Sequence, residues 1–190
     1  MNKKLLSALP LLLGLLAGHS QAAVSLDRTR VIYPGEAKSI SLTIRNNNKT
    51  LPYLAQAWLE DANGNKVNSP FTVLPPVQRL EPGMESLLKI QALPTLSLLP
   101  QDKESLFYFN MREIPPRSDK PNTLQIALQT RVKLFYRPAA IAAKTGANQT
   151  PWQEALTLTR QGDSYLANNP TPYFVTLIDA TKTLESASAS

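Results

Sequence analysis

The stretch Thr123–Pro138, "TLQIALQTRVKLFYRP", alternates between two kinds of side chain. One parity is apolar apart from Thr130, and the other is polar or small until it turns aromatic at Phe135. The apolar parity contains Leu124, Ile126, Leu128, Val132 and Leu134. Because successive side chains of a strand point to opposite faces of a sheet, the pattern predicts one strand with one buried face. From the residues alone, this face covers either the core of its own domain, as in most sandwich strands, or the core of a partner.

The rest of the chain between residues 23 and 138 reads as a series of short strands. Strand candidates such as Val24–Thr29 and the alternating run Lys38–Arg45 are separated by turn sequences, among them "YPGE" at 33–36. We count about seven strands, with turns about every 8 to 12 residues and no convincing amphipathic helix. This spacing predicts an antiparallel β-sandwich and places the chain in the all-β class.

Residues 1–22 have the composition of a secretory signal peptide. Two lysines among the first four residues precede an apolar run from Leu5 to Ala17, and the small-residue pattern Ser20-Gln21-Ala22 follows. A transmembrane anchor is the alternative, but the apolar run is shorter than the ~20 residues that a membrane-spanning helix needs. We therefore predict that the mature chain starts near Ala23 and is exported, with a signal of the bacterial Sec type.

The composition narrows the chemistry of the mature protein. The chain has no cysteine, and its single histidine, His19, lies in the predicted signal peptide, so Ser-His-Asp and Cys-His catalysis and Cys/His zinc sites are excluded. Without Lys3 and Lys4, 18 basic and 14 acidic residues leave a net charge of +4. The basic residues are scattered, which argues against nucleic-acid binding. With no glycine-rich phosphate loop either, we predict a non-enzymatic protein that has no metal site and no cofactor.

Beyond Pro138 the chain changes character. Residues 139–150 are mostly small and polar, as in a hinge or linker, and residues 151–190 contain two or three further strand candidates. A second sandwich domain needs about 100 residues, whereas ~50 follow Pro138. We therefore predict a complete N-terminal β-sandwich domain over 23–138 and an incomplete second β-sandwich domain over 151–190. The Ser- and Ala-rich end of the second domain is expected to be disordered.

Five blocks of the sequence are long and unusual in composition: "AVSLDRTRVIYPG", "LPYLAQAW", "PPVQRLEPG", "LPQDKESLFYFNMREIPPRS" and "LQIALQTRVKLFYRPAAI". Together they resemble the PapD-like periplasmic chaperones of pilus assembly, and the resemblance runs from Ala23 to about Tyr173. It implies two immunoglobulin-like domains set at an angle, with a cleft between them. It also implies that the last strand of the first domain is lent to a pilus subunit whose own fold lacks a strand, and that subunits are delivered to an outer-membrane usher.

The resemblance assigns roles to two sets of residues around the opening stretch. Leu124, Ile126 and Leu128 are implied to fill the groove of the subunit as a donor strand. Arg30, in "LDRTR", and Lys133, in "RVKLFYRP", are implied to bind the C-terminal carboxylate of the subunit together. Such an anchor would set the register of the donated strand, and a slip of one residue would turn its apolar face away from the groove.

Glu104 and Arg137 match residues that join the two domains in this family. There, they form an ion-pair network with an acidic residue of the second domain. That acidic residue is expected beyond Ser190, so the network is expected to be incomplete in this chain.

Further expectations concern partners and alternatives. The loop Pro115–Pro121 before the donor stretch is short, which in this family accompanies thick, rod-like pili. A second copy of the chain, capping the exposed strand of the first, is a further partner to consider. The alternatives to a chaperone are an exported immunoglobulin-like module that self-associates or serves in a pilus, and a truncated chaperone that no longer functions.

Overall fold

The computed structural model describes residues 22–142 and 151–179. Within these ranges the regular structure consists of strands and short 3₁₀ helices. The strands are β1 Val24–Leu26, β2 Arg30–Pro34, β3 Ser39–Asn46, β4 Tyr53–Glu60, β5 Lys66–Val67, β6 Phe71–Leu74, β7 Val77–Leu80, β8 Glu85–Ala92, β9 Ser105–Ile114, β10 Gln129–Arg137, β11 Thr157–Gln161 and β12 Ser164–Asn168. The 3₁₀ helices are Pro94–Leu98, Ala139–Ile141 and Trp152–Ala155. The predicted all-β class is confirmed.

Strands β1 to β10 form two sheets that enclose one core. The first sheet has the order β1-β3-β8-β6, and the second has the order β2-β10-β9-β4-β5, with β7 also paired to β4. Neighbouring strands are antiparallel except β2 and β10, which run parallel. This arrangement is the predicted β-sandwich, and the last strand of the domain, β10, lies between β2 and β9.

Alternate residues of the strands build the core between the two sheets. In β4, Ala55, Ala57 and Leu59 are buried, whereas Trp58 lies on the opposite face of the sheet. Phe71 lies at the centre of an aromatic cluster formed with Tyr33, Phe107 and Tyr136, whose ring centroids are 4.7, 5.4 and 6.0 Å away. Because the chain has no cysteine, this packing replaces the disulfides that many exported domains use.

The predicted strand Val24–Thr29 is wrong in its C-terminal half. β1 ends at Leu26 and pairs with β3 in the first sheet, whereas β2 begins at Arg30 and pairs with β10 in the second. The chain therefore crosses from one sheet to the other over residues 27–29. This crossing places Arg30 at the edge of the second sheet, beside the end of the opening stretch.

Gly35 lies in the predicted turn after β2 and packs directly against the end of β10. Its N–H donates a hydrogen bond of 2.7 Å to the carbonyl oxygen of Arg137. A Cβ atom at this position would lie 2.7 Å from the backbone nitrogen of Ala139 and 2.9 Å from the Cα of Pro138. Glycine is needed here because the two backbones approach too closely for a side chain.

Residues 151–179, which we call the second unit, contribute one antiparallel hairpin, β11–β12, whose residues are all exposed. Residues 169–178 follow without regular structure and return to the first domain. The domain boundaries around 138 and 150 remain predictions. The predicted signal peptide up to residue 21, most of the predicted hinge (143–150) and the predicted disordered end (180–190) lie outside the described residues.

Candidate functional site

The opening stretch divides into two parts of opposite burial. Residues 129–137 form β10, and the side chains of its core-facing parity are buried: Val132, Leu134 and Tyr136 are 9%, 0% and 3% exposed. Residues 123–128, which we call the exposed segment, form no strand. Its apolar side chains Leu124, Ile126 and Leu128 are 85%, 63% and 41% exposed. The prediction of one strand starting at Thr123 is therefore wrong, although the apolar parity, interrupted only by Thr130, continues from the core into solvent.

β10 begins at Gln129 because its neighbours provide no further partners. β9 pairs with β10 only as far as Gln129, and the last bond on this side joins the Glu113 N–H to the Leu128 carbonyl oxygen at 3.0 Å. β9 then runs into Pro115 and Pro116, which have no N–H to donate. On the other side, β2 pairs with β10 only from Lys133 onward. Within the described residues, the exposed segment therefore has no strand partner on either edge.

Arg30 and Lys133 are direct neighbours in the parallel pair of β2 and β10. Both belong to the parity that faces away from the core, because Val31 and Leu134, which follow them, are fully buried. The Lys133 Nζ donates a hydrogen bond of 3.0 Å to the Thr176 hydroxyl, which comes from the second unit. The structure thus brings the two predicted anchor residues together on the outer face of the second sheet.

A pocket of about 410 Å³ lies between this outer face and residues 174–178. The sheet contributes Arg30, Ile32, Phe135 and Arg137 to its lining, and the second unit contributes Phe174 and Thr176 among others. The phenyl rings of Phe135 and Phe174 stack with centroids 5.6 Å apart. Arg30 in the lining and Lys133 beside Thr176 have no acidic partner in an ion pair within the described residues. The lining also includes Glu104, whose charge Arg137 compensates, so Arg30 and Lys133 leave the margin of the pocket positively charged and suited to a carboxylate.

Glu104 and Arg137 form an ion pair in this cleft, with the Arg137 Nη2 2.7 Å from the Glu104 Oε1. The pair is largely shielded from water, since the Glu104 and Arg137 side chains are 2% and 15% exposed. The second unit joins them through its backbone: the Phe174 N–H donates to the Glu104 Oε2 at 2.8 Å, and the Glu104 N–H donates to the Pro172 carbonyl oxygen at 2.9 Å. Within the described residues, the third member of this network is a backbone N–H.

The guanidinium of Arg137 lies near two aromatic rings. Its central carbon lies 5.4 Å from the ring centroid of Trp152 and 5.0 Å from that of Tyr173. The two rings stack on each other at 4.7 Å, and the Tyr173 hydroxyl donates to the Ile141 carbonyl oxygen at 2.6 Å. These contacts hold the second unit against the first domain without a second core.

A polar network on the outer face of the second sheet connects β10 to β9 and β4. The Glu60 carboxylate accepts hydrogen bonds of 3.0 Å from the Trp58 indole N–H and from the Arg131 Nε. The Arg131 guanidinium lies 3.4 Å above the ring of Tyr108. The hydrogen bond from Trp58, and after it that from Arg131, lowers the pKa of Glu60 because both favour the ionised carboxylate. In the exposed segment, the Gln125 side-chain amide donates a hydrogen bond to the Pro116 carbonyl oxygen, and no ion pair with a described residue involves residues 123–128.

Tyr173 and Thr176 are functional candidates that carry no sequence motif. The alternation in "PYFVTLI" indicates an extended segment and does not indicate what it contacts. Their importance depends on the return of residues 171–178 to the first domain. A contact between positions as far apart as Lys133 and Thr176 could be found only in the tertiary structure.

The fold and the cleft define an immunoglobulin-like architecture of the PapD type, with an apolar segment left outside the sandwich. Residues 23–142 match the family described as pili and flagellar-assembly chaperone, PapD N-terminal domain, and residues 151–189 match the C-terminal domain of the pili-assembly chaperone PapD. The chain belongs to this family of pili-assembly chaperones.

Individual relatives agree with this assignment. The chain is 55% identical over 172 residues to the probable fimbrial chaperone YfcS of Escherichia coli K12, covering 90% of this chain and 68% of YfcS. It is 56% identical over 178 residues to the chaperone protein PapD of Escherichia coli, covering 93% of this chain and 72% of PapD.

Solved structures lead to the same fold. A structure of the Salmonella enterica SafA pilin in complex with the SafB chaperone matches with a TM-score of 0.70 and 28% identity, over 85% of this chain and 74% of the matched chain. The Escherichia coli chaperone DraB matches with a TM-score of 0.65 and 31% identity, over 79% and 69%. The predicted PapD-like immunoglobulin fold is confirmed.

Proposed function

We propose that this chain is a periplasmic chaperone that holds a pilus subunit by lending it the exposed segment. The observation that carries the proposal is the position of Leu124, Ile126 and Leu128, which continue the core-facing parity of β10 into solvent. Strand addition requires unpaired backbone edges and alternate apolar side chains, and the exposed segment has both, apart from the Leu128 carbonyl oxygen that the Glu113 N–H already holds. Membership of the pili-assembly chaperone family supports the same function.

The energy balance indicates that apolar burial needs help from other contacts. Full burial of a Leu or Ile side chain contributes ~1.5 to 3 kcal/mol, so three of them supply roughly 4 to 9 kcal/mol. Ordering the backbone of residues 123–128 costs roughly 6 to 12 kcal/mol, at about 1 to 2 kcal/mol per residue. Backbone hydrogen bonds to the pilus protein and a carboxylate anchor must therefore contribute to the affinity.

Arg30 and Lys133 are proposed as that anchor. If the C-terminal carboxylate of a pilus protein lies between them, it accepts charge-assisted hydrogen bonds, which are stronger than neutral ones. Lys133 has three N–H donors, and the Thr176 hydroxyl accepts from it in the free chain. At ~3.3 Å per residue, Lys133 lies about 16 Å along an extended chain from Leu128. Fixing the carboxylate at this distance selects the register in which the apolar side chains enter the groove.

Glu104 and Arg137 are proposed to hold the two units in the orientation that forms the cleft. Their ion pair is shielded from water and bonded to the Phe174 backbone. It therefore connects the first domain to the second unit across the pocket. Loss of one partner would leave a buried charge uncompensated, which costs about 3 to 5 kcal/mol in comparable cases.

The proposed chaperone works without nucleotide and without catalysis. In the described part of the chain, no cluster of His, Cys, Asp or Glu side chains could hold a metal ion, and no helix is long and apolar enough to cross a membrane. We further propose that the bound pilus protein is passed to an outer-membrane usher. The short loop Pro115–Pro121 favours service to a rod-like pilus.

Co-purification of a tagged pilus subunit from the periplasm tests the donated segment. Ile126→Asp should reduce the chaperone recovered with the tagged protein at least about tenfold, because a charge cannot enter an apolar groove. Leu98→Asp is the matched control, since Leu98 is 81% exposed and lies outside the segment. Equal recovery of the two variants would contradict strand donation.

The anchor is tested in the same assay. Lys133→Ala and Arg30→Ala should each lower recovery of the pilus subunit, whereas Lys89→Ala, an exposed lysine on β8, should leave it unchanged. Equal recovery for all three variants and the unchanged chain would contradict the proposed carboxylate anchor. It would not contradict strand donation.

The exposure of the segment in the free chain also favours pairing between two copies. Such a dimer would cap the unpaired edge until a pilus subunit arrives. Light scattering of the purified chain should then show a dimer that becomes a one-to-one complex when the pilus protein is added. Oligomers that persist in its presence would instead favour a self-associating interaction module.

A further inference from the structure

Glu113 is a buried carboxylate that the proposed chaperone function does not use. It lies near the end of β9, it is 5% exposed, and it forms no ion pair with any described residue. Its Oε2 accepts a hydrogen bond of 2.7 Å from the backbone N–H of Val24. Burying an ionised carboxylate is costly unless a positive charge or several donors compensate it, so a cation beside Glu113 would stabilise the folded chain.

The first residues of the domain lie directly beside this carboxylate. A pocket of about 300 Å³ is lined by Ala22, Ala23, Asn47, Asn48, Tyr53 and Glu113. The backbone here is already held in place, because the Asn47 N–H donates to the Ala23 carbonyl oxygen at 2.6 Å and β1 pairs with β3 from Val24 onward. The nitrogen of Ala23 is one residue away from the N–H that Glu113 binds.

We propose that cleavage of the chain between Ala22 and Ala23 creates such a cation, and that the new α-ammonium group of Ala23 pairs with Glu113 and locks the mature fold. A signal peptidase hydrolyses the peptide bond: water supplies a proton to the Ala23 nitrogen and the hydroxyl that completes the Ala22 carboxylic acid, which then ionises and releases its proton to solvent. The released amine takes up a further proton from solvent, since an α-amino group has a pKa of about 7.7 to 8.0.

This pairing makes maturation a folding step. In the uncleaved chain, the Ala23 nitrogen is an amide with one N–H and no charge. After cleavage it has three donors and a positive charge at the mouth of a pocket whose other titratable groups are Glu113 and the Tyr53 phenol. The backbone N–H of Glu113 also holds the Leu128 carbonyl oxygen, so the same residue connects the new terminus to the start of the exposed segment.

The test compares three forms of the chain without any pilus protein. The form purified from the periplasm should begin at Ala23 by mass spectrometry. The second form is the same chain acetylated on its α-amino group, and the third retains Ala22. Both changes should lower the urea midpoint of unfolding, because acetylation removes the charge and an extra residue displaces it. A mature chain that begins at another residue, or equal midpoints for the three forms, would overturn the proposal.

Glu113→Gln separates the pairing from other effects of the terminus. In this variant the free and acetylated forms should unfold at the same urea concentration, whereas Glu85→Gln, a control at an exposed acid on β8, should leave the difference unchanged. A difference that persists undiminished in Glu113→Gln would overturn the proposal.

An NMR titration of the Ala23 amine in the unaltered chain provides a second readout if Glu113→Gln does not fold. A neighbouring carboxylate raises the pKa of an amine, so the midpoint should lie above pH 8, and an ordinary midpoint would overturn the pairing. The inference relies on the proposed export. Because no step of the test involves a pilus protein, failure of strand donation and failure of this pairing give separate results.

Discussion

The exposed segment and β10 are adjacent parts of one alternating sequence, and they differ in almost everything except their pattern. Leu124 and Leu134 share a parity and a chemistry, yet the first is 85% exposed and the second is fully buried. The difference follows from the neighbours. β10 pairs with β9 over residues 129–136 and with β2 over residues 133–137, whereas the exposed segment forms a strand pair with neither.

This comparison shows that an apolar face in the sequence indicates only that a strand can be buried on that side. It does not indicate what covers it. In β10 the capacity is used inside the domain, where the Glu60 network and the ring of Tyr108 also fasten the outer face of the strand. In the exposed segment it is unused in the free chain. A strand can cover the core of another protein if it extends beyond the neighbouring strands of its own sheet.

The largest expected effect comes from making the same substitution on both sides of the boundary. Leu134→Ala should lower the free energy of unfolding by about 2 to 5 kcal/mol, since it leaves a cavity in the core. Leu124→Ala should change it by less than about 0.5 kcal/mol and should weaken binding of the pilus protein instead. Urea unfolding and co-purification with a tagged pilus protein measure the two effects. Equal destabilisation would mean that the exposed segment belongs to the domain core, which would break the comparison.

A smaller effect is expected where β10 ends. Gly35→Ala should destabilise the domain by about 1 to 3 kcal/mol, because the added Cβ would overlap the backbone of Pro138 and Ala139. The neighbouring Glu36 offers a control, since Glu36→Ala should stay within about 0.5 kcal/mol. Thermal unfolding of both variants checks this prediction. If Gly35→Ala unfolds like Glu36→Ala, the far end of β10 is less constrained than its near contacts indicate.

Replacing two prolines should extend the pairing of β9 and β10 into the exposed segment. The register of β9 and β10 places residues 115 and 116 opposite Ile126 and Gln125. Pro115→Val with Pro116→Val would remove both prolines and give residue 115 an N–H that can bond the Ile126 carbonyl oxygen. Amide hydrogen exchange over residues 125–128 should slow several-fold, with little change in the free energy of unfolding, and recovery of the pilus protein should fall because one edge is occupied. Pro121→Val, beyond this register, is the control. Unchanged exchange would show that the prolines do not end the pairing.

The smallest effect concerns the acid that fastens β10. The pKa of Glu60 is lowered in the folded chain, so its contribution is complete above its ordinary pKa of about 4.5 and is lost as the pH falls through the lowered value. Glu60→Gln should therefore reduce the loss of stability between about pH 6 and about pH 3.5, by less than about 1 kcal/mol for a partly exposed pair. Urea midpoints at the two pH values measure it. An identical loss in Glu60→Gln and in the unchanged chain would show that this carboxylate is not held in its ionised form.

Much of the fold could be read from local patterns, and the errors have a common cause. The stretch "LPYLAQAWL" carries Ala55, Ala57 and Leu59 on one parity, and these are the residues of β4 that face the core. The period of two is a property of the strand alone. The expected strands Val24–Thr29 and Thr123–Pro138 are both wrong at one end. In each case the pattern continues while the pairing partner changes or stops, and a single sequence does not show its partners.

The candidate site shows the same division between local and distant information. Arg30 and Lys133 were expected to act together through a resemblance, and the structure places them as neighbours because β2 crosses into the second sheet. No sequence motif indicates the contacts of Arg137 with Trp152 and Tyr173, or the contact between Glu113 and Val24. They depend on chain segments that meet only after folding.

The amino-acid sequence by itself determined the all-β class, the faces of the strands and the family, because periodicity and motif are local properties of the chain. Only the tertiary structure decided where the apolar parity of residues 123–137 passes from solvent into the core. It also decided that a buried carboxylate at residue 113 lies beside residue 24. The physical reason is that burial and charge pairing depend on which distant segments come together, and that depends on the packing of the whole chain.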